Sequence, residues 1–189
     1  MNKTQVMKQT LVFLGMVMAA TGVMAGKVQL SLTPDIAVYD RSETINGLTL
    51  SIWGENPQTA LAIGLVNGST GQSAGLSVGI LNYADDYSGL QWGLVNYTKH
   101  DFAGWQGGFG LGLLVSVANY TGGTMSGFQC GVVNYAGSLT GLQLGLINYA
   151  KIADAGVQIG LINVMPQNQF LTGLPDELAP GMILVNWRF

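Results

Sequence analysis

Few residues of this sequence have side chains that commonly carry enzyme chemistry. His100 and Cys130 are its only histidine and cysteine, whereas metal sites such as those of zinc need several such ligands. A lone histidine on a predicted loop is usually solvated, and no pattern here supplies the partners of a Ser–His–Asp relay. The acidic pairs Asp85–Asp86 and Asp176–Glu177 fall in predicted turns and are interpreted as solvated. We therefore predict no enzyme activity, no cofactor, and no catalytic, cofactor-binding or metal-binding residues.

Glutamine is the polar residue that recurs at a fixed place in the sequence. Each copy lies in the middle of a segment like "GLQLGLINY", residues 141–149, and Ser77 takes the equivalent place in another copy. A primary amide both donates and accepts hydrogen bonds, so amides on neighbouring strands can form a continuous belt. We interpret the belt as structural. Its members are Gln91, Gln129, Gln143 and Gln158.

The segments belong to a repeat that is marked by asparagine. The asparagines are Asn67, Asn82, Asn96, Asn119, Asn134, Asn148, Asn163 and Asn186. Most of them follow the preceding one after fourteen or fifteen residues, and two longer intervals, which end at Asn119 and Asn186, contain insertions. A degenerate ninth copy lies at 47–54. Because the units are short and repeat along the chain, the fold must be predicted from the repeat.

Residues alternate within each unit, which favours strands over helices. In residues 141–149 the leucines and Asn148 fall on one face, while Gln143 and the glycines fall on the other. Two glycines per unit also disfavour a helix, at about 1 kcal/mol each relative to alanine. The turn segments, such as "ADDYS" at 84–88, hold nearly all the charged residues. Each unit is therefore predicted to be one strand and one turn.

Three folds can accommodate such a repeat. A soluble sandwich would need polar outward faces, which the glycine and glutamine face supplies only weakly. A β-solenoid would stack the strands in parallel, with two units of about 29 residues per coil, and would turn the asparagines into an inward ladder. A transmembrane β-barrel would place the leucines against lipid and the glutamine belt inside. A buried asparagine ladder has no reason to exist in a barrel, so this residue separates the last two folds.

We predict the barrel, with eight to ten antiparallel strands. Loops 98–108 and 164–180 then share one rim, and turns of about five residues occupy the other, as in outer-membrane barrels. A solenoid with two strands per coil would also place both long loops on the same side. The predicted strands are 27–32, 47–53, 59–67, 74–83, 88–97, 109–119, 125–134, 139–149, 155–163 and 181–188.

The two termini add to this interpretation. Residues 1–25 have a basic start, a short apolar run and a small-residue cleavage site, as a secretory signal peptide has, which leaves 26–189 as one domain. The last strand, "MILVNWRF", resembles the C-terminal strand of bacterial outer-membrane proteins. That resemblance implies that Trp187 and Phe189 form a signal for the outer-membrane assembly machinery.

The repeat as a whole resembles a family of bacterial surface-repeat proteins built on Gly-Leu-x-x-Gly-Leu-x-Asn. The resemblance covers about 60–163 and weakly 181–187, and it implies export and a surface location. We expect the bacterial outer membrane as the location and the lipid bilayer as a partner. The net charge of −3, without a basic patch, argues against nucleic acid. The expected role is structural or surface interaction with an unidentified ligand through the two long loops; the alternatives are a passive pore for small neutral solutes and an exported β-solenoid adhesin.

Overall fold

The described part of the chain is mostly β-strand, as the sequence predicts. The computed structural model describes residues 7–8, 26–108, 115–168 and 180–189. Its strands are β1 (Val28–Thr33), β2 (Ile36–Ala37), β3 (Leu48–Glu55), β4 (Leu61–Val78), β5 (Leu81–Trp92), β6 (Val95–Thr98), β7 (Phe102–Gly107), β8 (Ser116–Leu144), β9 (Ile147–Val164) and β10 (Gly181–Arg188). Among these residues, no helix has the length and apolar character needed to span a membrane.

The strands stack in parallel as a β-solenoid, and the predicted barrel is wrong. Strands β3 to β9 pair in parallel with the strands of the next coil, for example Leu81 with Val95 and Val133 with Ile147. A barrel of this kind needs antiparallel neighbours. The solenoid alternative describes the fold, but its coil of two units does not. A single unit closes a complete coil, because each asparagine is aligned with the asparagine of the very next unit.

The barrel interpretation fails because the alternation does not run through the whole unit. Gln143 is buried and Leu144 is exposed, as alternation requires, but the chain then bends at Gly145. After the bend, two consecutive side chains are exposed, those of Leu146 and Ile147. The next residue, Asn148, is therefore buried, although strict alternation places it on the leucine face.

The two glycines of each unit are needed where successive coils lie closest. Gly141 has a φ of +134°, and a Cβ there would collide with the carbonyl oxygen of Gly127 in the preceding coil. A Cβ at Gly145 would collide with the carbonyl oxygen of Gly131 and would lie 2.6 Å from the Asn134 amide nitrogen. The glycines of the repeat thus allow the coils and their amide side chains to stack without a gap.

The interior is filled by side chains along the whole stack. A compact apolar cluster fills the part of the interior that lies nearest the charged residues. The passive-pore alternative assumed the open lumen of a barrel, and in the coils that the structure describes this space is occupied by side chains. The cluster consists of Ala84, Tyr87, Phe102, Met125, Ala136, Leu139, Ala150, Ala153 and Met165.

Both ends of the stack depart from the parallel pattern. At the N-terminal end, β1 pairs in parallel with β3 and antiparallel with the short β2. At the C-terminal end, β10 pairs antiparallel with β9 and aligns Asn186 with Gln158. The last copy of the repeat therefore closes the stack instead of adding a coil, and its asparagine does not extend the row that ends at Asn163.

One predicted loop is part of the stack. The range 98–108 contains the end of β6, a turn and β7, with Phe102 buried, so its assignment as a long exposed loop is wrong. The insertion that lengthens this unit begins after Gly108 instead, and 109–114 lie outside the described residues. Of the other predicted loop, 164–180, residues 169–179 also lie outside them.

Candidate functional surfaces

The buried glutamines form a hydrogen-bonded ladder along the solenoid axis. In each step the side-chain nitrogen donates to the side-chain oxygen of the preceding coil, at distances of 2.7 to 2.9 Å. The ladder runs from Gln158 through Gln143, Gln129 and Gln106 to Gln91. All four glutamines of the predicted belt therefore lie together in the interior, although in a filled solenoid and not in the lumen of a barrel.

Gln106 is the ladder member that the sequence interpretation missed. It lies in "GWQG", residues 104–107, which matches the Gly-x-Gln-x pattern of the other units. The match was hidden because the insertion after Gly108 separates Gln106 from Asn119, the asparagine of its unit, whereas Asn96 follows closely after Gln91. An alignment on glutamine in addition to asparagine would have found it.

The asparagines form a second ladder that runs in the opposite direction. Each side-chain nitrogen donates to the asparagine oxygen of the following coil, at 2.8 to 3.0 Å. Five of these nitrogens also donate to backbone carbonyls, such as Asn134 to that of Leu144 at 2.9 Å. Only the NH₂ group can donate there, so the backbone fixes the direction of the ladder. Its members are Asn67, Asn82, Asn96, Asn119, Asn134, Asn148 and Asn163.

An exposed row of aliphatic side chains follows the bend of each coil. We call the two residues that precede each ladder asparagine the aliphatic ridge, and every one of them is apolar. The most exposed members are Leu65 and Ile80, both 52% accessible, Leu146 at 55% and Leu161 at 57%. Across seven coils spaced about 4.8 Å apart, the ridge is about 29 Å long. Its members are 65–66, 80–81, 94–95, 117–118, 132–133, 146–147 and 161–162.

The backbone of the ridge is hydrogen-bonded from coil to coil. The nitrogen of Ile80 donates to the Leu65 carbonyl at 2.9 Å, and that of Leu146 donates to the Val132 carbonyl at 3.0 Å. The nitrogen of Ile162 continues this pattern to the Leu146 carbonyl at 2.9 Å. The ridge therefore combines apolar side chains with a backbone whose polar groups are engaged by neighbouring coils.

Aromatic rows flank the ridge on both sides. On one side, the tyrosines that follow the ladder asparagines stack at centroid distances of 4.7 to 5.3 Å, with nearly parallel rings. On the other, Trp105 contacts Trp92 and Phe128 at 5.4 and 5.8 Å. The stacked tyrosines are Tyr97, Tyr120, Tyr135 and Tyr149.

The charged residues lie on the edge opposite the ridge, which we call the polar edge. Between residues 61 and 164 the charged residues are Asp85 and Asp86 in β5, Lys99 and Asp101 between β6 and β7, and Lys151 and Asp154 in β9. The carboxylates accept hydrogen bonds from backbone N–H groups of neighbouring coils. The nitrogen of Gly71 donates to Asp85 at 2.9 Å, that of Asp101 to Asp86 at 3.0 Å, and that of Thr124 to Asp101 at 2.7 Å.

The polar edge also holds an open groove of about 620 Å³. Its lining combines carboxylates with neutral polar and aromatic groups, among them Gln72, Asp86, Tyr87, Asp101 and Phe102. The Tyr87 ring stacks on Phe102 at 6.1 Å, and its hydroxyl is buried without a hydrogen-bond partner among the described residues. Burial raises the pKa of Tyr87 above its usual value. The Asp86 and Asp101 carboxylates accept backbone hydrogen bonds that join neighbouring coils, and we assign no catalytic role to this groove.

The other residues that the sequence singled out are dispersed over the molecule. His100 is exposed on the polar edge, with its Nδ1 atom 3.9 Å from Asp86. Cys130 is 7% exposed, and burial raises the pKa of its thiol. Trp187 lies on β10, and Phe189 is exposed at the end of the chain; their role in assembly stays a prediction. Among the described residues no cluster of histidine, cysteine and carboxylate side chains is arranged to hold a metal ion.

No protein-family model matches the chain, and neither a curated protein nor a solved structure matches it. The stacked parallel strands agree with a repeat-based surface protein, and this agreement is limited to the architecture.

Proposed function

We propose that this protein is an exported, non-enzymatic surface adhesin in which the β-solenoid is the scaffold of a binding surface. One observation carries the proposal. Stacking of the repeat places equivalent side chains in straight exposed rows, with an aliphatic ridge along one edge and charged turns along the other. Extended rows of this kind suit the binding of large or repetitive surfaces, as in other solenoid proteins.

Export and surface location are part of the proposal. Residues 1–25 support export through their basic start and apolar run, which are typical of a signal peptide. The shortage of charged residues, 9% against about 25% in ordinary soluble domains, supports a surface that is partly covered by something other than water. We place the protein at the bacterial outer membrane.

Labelling of intact cells with a membrane-impermeant amine reagent tests this location. Lys99 and Lys151 are exposed on the polar edge, so the adhesin is expected to react before lysis. The double variant Lys99→Arg, Lys151→Arg keeps the charge and should lose about half of the labelling, because Lys27 and the amino terminus remain reactive. A periplasmic protein serves as the lysis control, since it must stay unlabelled. Reaction of the wild-type chain only after lysis would contradict surface exposure.

A further inference from the structure

We propose that the aliphatic ridge inserts into one leaflet of a lipid bilayer, so that the solenoid lies along the membrane surface with its polar edge in water. This inference deepens the proposed function by naming a partner. It rests on that function because export is what brings the protein to a membrane. It assigns a partner to the ridge, namely the hydrocarbon of lipid, and it requires no strand to cross the bilayer.

The first argument is the chemistry of the ridge. Its fourteen side chains, two in each of seven coils, contain no hydroxyl, amide or charged group. At the N-terminal end, Ile52 and Trp53 align with Leu65 and Val66 and continue the same exposed surface for one more coil. A contiguous apolar surface of this extent on a monomer indicates an interaction site.

The second argument is the backbone. Hydrocarbon offers no hydrogen bonds, so any backbone group placed in it must already be paired. The ridge meets this condition at its bends, where Ile80, Val95, Leu146 and Ile162 each donate to a carbonyl of the preceding coil at 2.9 to 3.0 Å. An ordinary exposed bend leaves such groups to water.

The third argument is the order of side chains around the coil. The aliphatic ridge comes first, the tyrosine and tryptophan rows follow on its flanks, and the charged turns lie farthest away. Tyrosine and tryptophan are enriched where a membrane meets water, because their rings are apolar and their NH or OH groups are polar. Insertion by about 5–10 Å, the usual depth for interfacial segments, would bring these rows to the headgroups.

The shape of the ridge favours lipid over a second copy of the chain. The chain bends at the ridge, at 79–80, 93–94 and 145–146, and the side chains at the bend point outward, so the ridge is convex. Two convex ridges would touch along a line and would bury much less than the roughly 800 Å² per partner of a standard interface. A leaflet is deformable and can surround a convex wedge.

Vesicle binding tests the inference with the purified full chain and neutral phosphatidylcholine vesicles. In the variant Leu65→Glu, Leu146→Glu, Leu161→Glu, partitioning should fall at least about tenfold, because three carboxylates would enter hydrocarbon. The matched control is Gln72→Glu, Ser126→Glu, Ala155→Glu, which adds three carboxylates at exposed positions near the polar edge and should stay within about twofold of the parent. Circular dichroism must show that both variants are folded. Equal loss in both variants, or in neither, would overturn the inference.

A local probe separates the ridge from residues 11–23, which are also apolar. In a Cys130→Ala background, an environment-sensitive fluorophore is attached through Leu146→Cys or through Asp154→Cys. Vesicles should shift the emission to the blue at 146 and leave it unchanged at 154, and brominated lipids should quench only the label at 146. A silent label at 146 while the protein binds vesicles would place the contact elsewhere and would overturn the inference.

Salt and self-association give two further outcomes. Because the ridge is uncharged, binding should not change between low and high salt or on addition of anionic lipid. Binding that high salt removes would contradict insertion through the ridge.

A dimer in sedimentation velocity that the ridge variant dissociates, without vesicle binding by the parent, would overturn the inference and assign the ridge to a second copy. These measurements use purified protein, so their failure is distinct from failure of the cell-labelling test of export.

Discussion

At the residue scale, two ladders of amide side chains, seven asparagines and five glutamines, hold the interior of this protein together. An amide suits the position because it can donate to one neighbouring coil and accept from the other at the same time. Asn134 does both, and it also donates to the Leu144 carbonyl. The sequence could predict a row of asparagines, since asparagine recurs in each unit, whereas Ser77 interrupts the glutamines.

Replacing one amide by a carboxylate tests the asparagine ladder. Asn134→Asp should lower the free energy of unfolding by about 3–5 kcal/mol at neutral pH, because a buried carboxylate would face the Asn148 oxygen. The pKa of the new carboxyl should rise on folding, so the loss should shrink as the pH falls toward about 4 and be smallest below that, where the acid is protonated in both states. Urea denaturation at several pH values measures this. The exposed Asn46→Asp is the control, and an equal loss there would contradict the role of the ladder.

The buried hydroxyl of Tyr87 leads to a prediction of the opposite sign. Tyr87 is 2% exposed, and its hydroxyl has no partner in the described part of the chain. Tyr87→Phe should therefore raise the free energy of unfolding by about 1 kcal/mol. Exposed Tyr120→Phe should change it little. A loss of stability in Tyr87→Phe, measured by urea denaturation, would show that the hydroxyl is engaged.

The same substitution should alter the response to alkaline pH. Burial raises the pKa of Tyr87 in the folded state, so its contribution to stability is complete below about pH 10 and is lost as the pH rises further. Burial also raises the pKa of Tyr83 to about 12, with a contribution from its hydrogen bond to Glu55, and this pKa acts in the same direction. Tyr87→Phe should therefore flatten the decrease above about pH 10, and thermal melts across that range measure it.

At the scale of the strand, the bend in each coil decides which face each residue occupies. Composition and alternation were enough to predict an all-β repeat, but the turns predicted at 84–88 and 150–154 lie inside β5 and β9, so the strands are longer than expected. They were not enough to predict the fold, because the alternation changes phase at Gly145, between Gln143 and Asn148, and a local pattern does not show this. A barrel and a solenoid with two strands per coil also place the long loops on the same side. The distinction depends on whether the next strand runs parallel or antiparallel, which is a long-range property.

Glycine at the tightest contact between coils gives a prediction at this scale. Gly141→Ala should lower the free energy of unfolding by at least about 3 kcal/mol, because the backbone has a φ of +134° and the new Cβ would collide with the Gly127 carbonyl. Gly181→Ala is the control, since no atom lies within 4 Å of a Cβ there. Thermal melts of the two variants measure the difference. Similar melting temperatures would contradict the close stacking of coils.

At the scale of the whole molecule, each coil contacts mainly its two neighbours. Stability in such a stack is close to a sum of coil terms and interface terms, so whole coils can be removed. Deletion of 142–156 joins Gly141 to Val157, which continues the chain from an equivalent position in the coil, since Val157 is aligned with Leu142. This variant should fold, with a lower melting temperature.

A deletion of half a coil is the matched control. Removal of 142–148 joins Gly141 to Tyr149, which takes every later glutamine and asparagine out of register with its ladder. We expect this variant to lose cooperative unfolding and most of its β-sheet circular dichroism, although it removes a shorter segment. If the longer deletion were the more harmful one, the coils would not be independent units.

The opposed directions of the two amide ladders have a consequence for the length of the molecule. The asparagine N–H groups point toward the C-terminal end and the glutamine N–H groups toward the N-terminal end. In an α-helix, aligned peptide dipoles add up to partial charges at the two ends. Here each added coil contributes two amide dipoles that largely cancel, so lengthening the stack creates no electrical polarity from end to end. The dipoles of these side chains therefore set no limit on the number of coils that can be gained or lost during evolution.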